Sequence, residues 1–354
     1  MNPIPIRMGG YGPPTTGFSR ALKFIGDRLT AQFGDGIEVK YAWNIMDLDY
    51  KAEEIVWLVE SGVLTLGYQS SSYLTDRMPE LGFVDLPFLF ETTERARDAM
   101  DGALGRRLVG AIESKSNFRV LGWFENGFRH ISNRVRTVRS PADLKGLHIR
   151  VLPSQIQART FELLGATPMI MDLTDAIRMI KAGEVDAQEN PLTNTVTYGV
   201  HKFHRFHTLS NHFYISRPIF VHRPTFEAWP DDLKAVMQQA VTESVAFQRG
   251  LHEQEEKDAR RAIEAEGCEI VALDAAQHGA FAAAVQPLRR ERTPAGPGHR
   301  RVRGAPRGTG LPLGGVPRRT AGGASFRRQA GHRPQRARAG PGRGWRPPAR
   351  DHAR

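Results

Sequence analysis

Strand and helix signals alternate along the first 288 residues of this chain, and that rhythm restricts it to folds built on a largely parallel sheet. "IPIRMGG" reads as a strand. After a Gly/Pro turn comes the amphipathic run "TGFSRALKFIGDRLTAQFG", with Phe18, Leu22, Ile25 and Leu29 at helical spacing. A strand around "GIEVKYAW", a helix through "AEEIVWLVESG" and a short strand "LTLGYQ" complete a first βαβ block. The second block opens with "FRVLGWFENGFRHISN", which reads as two strand segments. It continues with a helical turn in "SPADLKG", where Ser140 is the N-cap, Pro141 takes the first helical position and Asp143 lies in the first turn. Strands in "HIRV", "PMIM" and "EVDAQENP" then alternate with helices in "QIQARTFELLG" and "LTDAIRMIKAG". From Trp229-Pro230-Asp231-Asp232 a polar helix runs toward Gly267, about 50 Å if unbroken, with a kink near Gly250 equally compatible. Sheets of this kind bind ligands outside the carboxyl ends of their strands.

The formal net charge of +11 suggests a nucleic-acid or membrane partner until its distribution is considered. Residues 289–354 contain 18 Arg, no Lys and 2 acidic residues, so the basicity lies there and residues 1–288 are mildly acidic. Arg, Gly, Pro and Ala make up 49 of those 66 residues, a composition that cannot build a packed core. It matches GC-rich DNA read out of frame, and a frameshift between Leu288 and Thr293 is the preferred reading. The other is a disordered basic tail that binds nucleic acid, and it lacks aromatic interleaving and a repeated RGG unit. No nucleic-acid partner is expected for the body. The single cysteine, Cys268, excludes an internal disulfide framework and reads as a small buried core residue. No apolar run is long enough to span a membrane. "PIPIRMGG" already reads as a strand, so any export leader is expected to have been removed or to precede a start placed too late.

Three polar residues stand at apparent strand ends in the second block: Arg129 in "NGFRH", Arg150 in "LHIRV" and Asn190 in "QENP". Arg150 is flanked by Ile149, Val151 and Leu152, so its guanidinium is carried by a buried strand and needs a counter-charge. That partner is either a carboxylate from elsewhere in the fold or a ligand, and the same two readings are open for Arg129. Arginine suits carboxylate capture because its planar fork bonds both oxygens and stays charged. An Asn beside it adds orientation.

The runs "GFRHISNRVRTVRSPADLKGLHIRVLPS", "LLGATPMIM" and "IKAGEVDAQENP", with "ELGFVDLPFLF" and "SGVLTLGYQSSSYL" before them, resemble the DctP-type solute-binding proteins of tripartite ATP-independent periplasmic (TRAP) transporters. The resemblance covers roughly residues 4–288. It implies an α/β fold of the type II periplasmic binding protein kind, with two lobes, a hinge of crossing strands and a long bracing helix. Lobe I is expected from 1–126 plus about 216–250, and lobe II, carrying the carboxylate-binding residues, from 127–215 plus about 251–288. Residues 289–354 form the tail. By resemblance, Arg150 clamps a substrate carboxylate, with Arg129 and Asn190 as further contacts. The implied function is a monomeric periplasmic receptor that delivers an organic acid to TRAP membrane subunits, without catalysis, cofactor or metal. The chain departs from the family pattern in having R-V-L-P for R-V-P and D-A-Q for D-G-Q. Weaker lining candidates are Trp43, Tyr68, Gln69 and Ser70 after strands of the first block, and Leu173 and Phe213 as apolar walls.

An α/β enzyme acting on a small carboxylate is the alternative class. The chain has no G-x-S-x-G elbow, phosphate loop or H-E-x-x-H, and the prolines of "GGYGPPTTG" remove amides a phosphate cradle would use. His201, His204 and His207 invite a metal reading, but their three-residue spacing fans around a helix, and a solvated basic surface is expected instead.

Overall fold

In the computed structural model, which describes residues 2–288, parallel strands carry their carboxyl ends toward one central cavity. The expectation for residues 289–354 lies outside the described residues. The elements are β1 (Ile4–Gly9), α1 (Gly17–Phe33), β2 (Ile37–Ala42), α2 (Ile55–Glu60), β3 (Leu66–Tyr68), α3 (Thr93–Asp101), α4 (Ala103–Ser114) and β4 (Phe118–Asn133). There follow β5 (His148–Val151), α5 (Gln155–Leu163), β6 (Thr167–Ile170), α6 (Leu173–Ala182), β7 (Ala187–Asn190) and α7 (Leu192–Thr197). The last are β8 (Phe206–His222), α8 (Arg223–Glu227), α9 (Asp231–Ala265), β9 (Glu269–Ala272) and α10 (Ala275–Ala284). The sheet order is β2-β1-β3-β8-β4-β7-β5-β6, with β9 on β8. β1 pairs in parallel with β2 and β3, and β5 with β6 and β7.

Two long antiparallel strands, β4 and β8, join these parallel halves. "FRVLGWFENGFRHISN" is therefore one 16-residue strand rather than two segments. Register shifts at Val120/Gly122 and Glu125/Gly127 give β4 extra residues at Leu121 and Asn126, so it bends without ending. Gly127 takes φ +83°, and a Cβ there would meet the His252 ring. Each end of the strand pair enters a different hydrophobic core. Phe118, Phe124, Ile219 and Phe220 pack with Leu22, Ile25 and Leu66, while Ile131, Phe213 and Ile215 pack with Ile149, Phe161 and Phe281.

α9 runs unbroken for 35 residues, continuing through Gly250. Leu233, Met237, Ala240 and Val241 join the first core, and Ala259 and Ile263, near the other end of the helix, pack on Leu192. Between them Gln248 grips β4 at its bulge: its Oε1 accepts the Glu125 amide at 3.0 Å and its Nε2 donates to the Glu125 carbonyl at 3.0 Å. The extra residue Asn126 is thereby fixed beside the cavity. Cys268 is half-buried rather than a core residue, its thiol directed at the carbonyls of His201 and His204. Among the described residues no helix is long and apolar enough to cross a membrane.

Candidate functional site

The cavity between the two cores is lined by residues that reach it from both parallel halves of the sheet and from β4 and β8. Arg150 sits one residue from the end of β5 and is 1% exposed. Its Nε and Nη2 donate to the Met171 carbonyl just past β6, at 3.2 and 3.1 Å, and Nη2 also donates to the Tyr73 hydroxyl at 3.1 Å. These bonds leave Nη1 free. No carboxylate among the described residues pairs with Arg150. Asp172, next along the chain, accepts instead from the amides of Thr174 and Glu53 at the start of α6.

Tyr73 has the complementary role. Its oxygen accepts from Arg150 and from the Leu173 amide at 3.0 Å, so its own O–H remains to be donated to a ligand. Burial pushes this phenol up, and it stays protonated at working pH.

Arg129, expected as a further ligand contact, meets a carboxylate of the protein itself. It lines the cavity, yet its Nε is paired with the Glu189 carboxylate, and its Nη2 donates to Glu189 Oε1 at 2.9 Å and to the Glu189 carbonyl at 2.7 Å. The β4–β7 pairing places them side by side, with Ile131 opposite Glu189. Burial alone would raise the Glu189 carboxyl, but Arg129 and His212 override it and hold the group below its usual range. The Arg129 charge is thus balanced by the protein.

Asn190, at the end of β7, lines the cavity as expected. It belongs to an amide chain in which its Nδ2 donates to Gln188 Oε1 at 3.1 Å and its Oδ1 accepts from Asn194 at 3.3 Å. Asn194 also donates to Asn126 Oδ1 at 3.0 Å. Of the weaker candidates, Gln69, Ser70 and Leu173 line the cavity and Tyr68 lines its extension toward Thr16 and Phe18. Gln69 is occupied in holding the chain, donating to the Ala52 carbonyl at 2.8 Å. Two candidates do not line the cavity. Trp43 is stacked on Tyr41 with centroids 4.1 Å apart, off the cavity, because the chain turns after β2. Phe213 is 1% exposed in the second core, against Phe161.

Sequence reasoning missed Tyr11, Tyr73, Asn126, Asn194, Tyr198 and Arg217, all of which line the cavity. Only Arg217 carried a readable signal: "YISRPIF" sets a lone arginine in an apolar strand followed by proline, as "HIRVLP" does.

The histidines also depart from expectation. His201, His204 and His207 are 7%, 1% and 1% exposed, not a solvated surface, and no group of ligating residues among the described residues is suited to a metal. Burial lowers His204 to about 3 and His207 to about 4, and it lowers the fully buried His212 as well. In the unfolded chain these imidazoles take protons near pH 6.5, so native stability is present above that pH and is lost as the pH falls toward the native values. Each of His204 and His207 should cost roughly 2 kcal/mol at pH 5. Asp85 acts in the opposite direction: burial raises it to about 6 despite bonds from Ser154 and Ser72, so protonation favours its native form. Burial lowers His130 to about 3 as well, so a net loss of about 5 kcal/mol between pH 7.5 and 5 is expected in urea titrations, and a flat profile would contradict it.

A profile of bacterial extracellular solute-binding proteins, family 7 (DctP), matches residues 49–293. This chain belongs to that family. A solute-binding protein of Verminephrobacter eiseniae is 30% identical over 66% of this chain and 69% of its own length. The C4-dicarboxylate-binding periplasmic protein DctP of Rhodobacter capsulatus is 27% identical over 82% and 86%. Among solved structures, the sugar acid binding protein of Advenella mimigardefordensis in complex with galactonate matches with TM-score 0.77 at 27% identity, covering 82% of this chain and 93% of that one. The TRAP periplasmic solute-binding protein of Sulfurospirillum deleyianum with bound succinate matches with TM-score 0.77 at 25% identity, over 82% and 94%. The family consists of substrate-binding receptors, and the expected mixed α/β fold of these proteins is the fold observed.

Proposed function

We propose that this family member is a periplasmic receptor that captures an organic acid through its carboxylate and hands it to the membrane subunits of a TRAP transporter, without catalysing a reaction. The observation that carries this reading is Arg150, a buried guanidinium with a free amino edge in a cavity and no carboxylate partner among the described residues. A buried cation of this kind is costly until an anion reaches it. Tyr73 donates to the same carboxylate, and Asn190 orients the ligand through its remaining amide hydrogen. Arg129 acts mainly as a positioning residue that keeps Glu189 and β7 in place.

Residues 1–126 with about 216–250, and 127–215 with about 251–288, act as two lobes that close on the ligand, with β4, β8 and α9 as the connection between them. Closure then follows from tighter binding in one arrangement than in the other. The test is a thermal-shift screen of the full chain against mono- and dicarboxylates, including sugar acids. A ligand at a hundredfold excess over its Kd stabilises the fold by about 3 kcal/mol. One acid giving such a shift supports the reading, and a panel without effect on the folded protein would count against it.

A further inference from the structure

Four consecutive residues at the start of α6 all reach across the junction between the two parallel halves of the sheet. Asp172 caps α6 with Oδ1, which accepts the Thr174 amide at 2.8 Å, and its Oδ2 accepts the Glu53 amide at 3.0 Å. The Leu173 amide donates to the Tyr73 hydroxyl at 3.0 Å, and the Leu173 side chain is buried in the first core, which also takes in Ala52 and Ile55. Thr174 Oγ1 accepts the Ala52 amide at 3.1 Å, and Asp175 Oδ2 lies 2.9 Å from Lys51 Nζ. These partners stand 100 to 124 residues away along the chain. The rest of α6 belongs to the other half, where Ile180 packs with Val185 and Val200.

Local chemistry explains why these bonds need both halves. Ala52 and Glu53 open the helical turn that leads into α2, so their amides have no partner within it. Lys51 holds the N-cap position, where Ser, Thr, Asp or Asn would supply an acceptor, and its ammonium can only donate. Thr174 and Asp172 provide the missing acceptors from across the junction. Separating the halves breaks these bonds together and draws Leu173 out of the first core. Tyr73 ties the run to the carboxylate clamp, because its oxygen accepts from Arg150 as well as from the Leu173 amide. A phenol that donates its proton to an anion becomes a better acceptor, so an acid held by Arg150 and Tyr73 strengthens the bond to Leu173.

We propose that Asp172–Asp175 is a latch that holds the two halves together and is tightened through Tyr73 by a carboxylate on Arg150, so that residues which never touch the ligand set how long it stays. The inference rests on the receptor reading above. Lys51, Thr174 and Asp175 line neither the cavity nor its extension, and they act as positioning residues.

The test is hydrogen–deuterium exchange of the full chain, read on peptides covering 50–56 and 171–177, together with stopped-flow dissociation of succinate and of galactonate. Thr174→Val keeps the side chain's shape and removes one acceptor, Thr174→Ser retains the oxygen, and Lys51→Glu sets a like charge against Asp175. In the ligand-free chain Thr174→Val is expected to speed exchange in both peptides together by about tenfold, and Lys51→Glu by a few-fold, with α1 and α10 unchanged. Thr174→Ser should exchange as wild type does, and adding Asp175→Lys to Lys51→Glu should restore slow exchange. A bound acid should leave Thr174→Val about tenfold faster, with the preference between succinate and galactonate unaltered. Faster exchange confined to the substituted peptide, or spread evenly over the whole chain, overturns the latch, as does an unaltered dissociation rate for an acid that binds. Binding of neither acid by the folded wild type counts against the receptor reading alone, and the exchange pattern still decides the latch. Should Thr174→Val fail to fold, the exposed Lys51→Glu and its charge-swapped partner carry the same test.

Discussion

Arg150→Ala is expected to reduce affinity for the bound acid by two to three orders of magnitude without lowering the stability of the ligand-free protein. In the complex the guanidinium and the carboxylate are both dehydrated, and removing one strands the other, a loss of about 2–5 kcal/mol. In the ligand-free protein the balance differs. Arg150 has no acidic partner there, so its removal relieves an uncompensated buried charge and gives up three hydrogen bonds to Met171 and Tyr73. Arg150→Lys keeps the charge but not the planar fork, and is expected to lie between wild type and alanine. Titration calorimetry paired with melting of the free protein checks both halves. Retained affinity in Arg150→Ala would remove the residue from the site, and a large drop in the free protein's Tm would make it a structural residue.

The opposite pattern is expected at Glu189. Glu189→Ala should destabilise the free protein by about 3–5 kcal/mol, because it leaves Arg129 buried with no counter-charge. His212, whose Nε2 is 3.5 Å from the same carboxylate, loses that neighbour too. Replacing both partners, as Arg129→Met with Glu189→Leu, should recover most of the loss, since an apolar pair of similar volume avoids the desolvation that the ion pair must overcome. A double-mutant cycle in urea measures this coupling directly. If Glu189→Ala unfolds at the wild-type midpoint, the pair is not structural, and Arg129 returns as a candidate ligand contact. The two arginines are equally buried and both line the cavity, yet one is expected to report on binding and the other on stability.

That contrast separates what was legible in the letters from what was not. The alternation of strand and helix, the capping of "SPADLKG" and the length of α9 follow from local propensity, period and turn chemistry, which neighbouring residues carry. The placing of Arg150 and Asn190 at the carboxyl ends of parallel strands was legible for the same reason, since an apolar run ending in a polar residue is a local pattern. The continuity of β4 was not, because bulges at Leu121 and Asn126 make a single strand look like two out-of-phase segments. Nor did the sequence reveal that Phe213 belongs to a core or that His204 and His207 are buried, since a side chain's surroundings depend on segments far along the chain.

The sequence by itself determined the fold class, the family and that apolar strands carry the cations Arg129 and Arg150. Only the tertiary structure decided which of those cations the protein balances. Arg129 meets Glu189 across 60 residues through the β4–β7 pairing, whereas the same sheet carries Arg150 and Arg217 to a cavity where no acid faces them. The physical reason is that a charge's need for a partner is a property of the residue, while the identity of the partner is set by strand register.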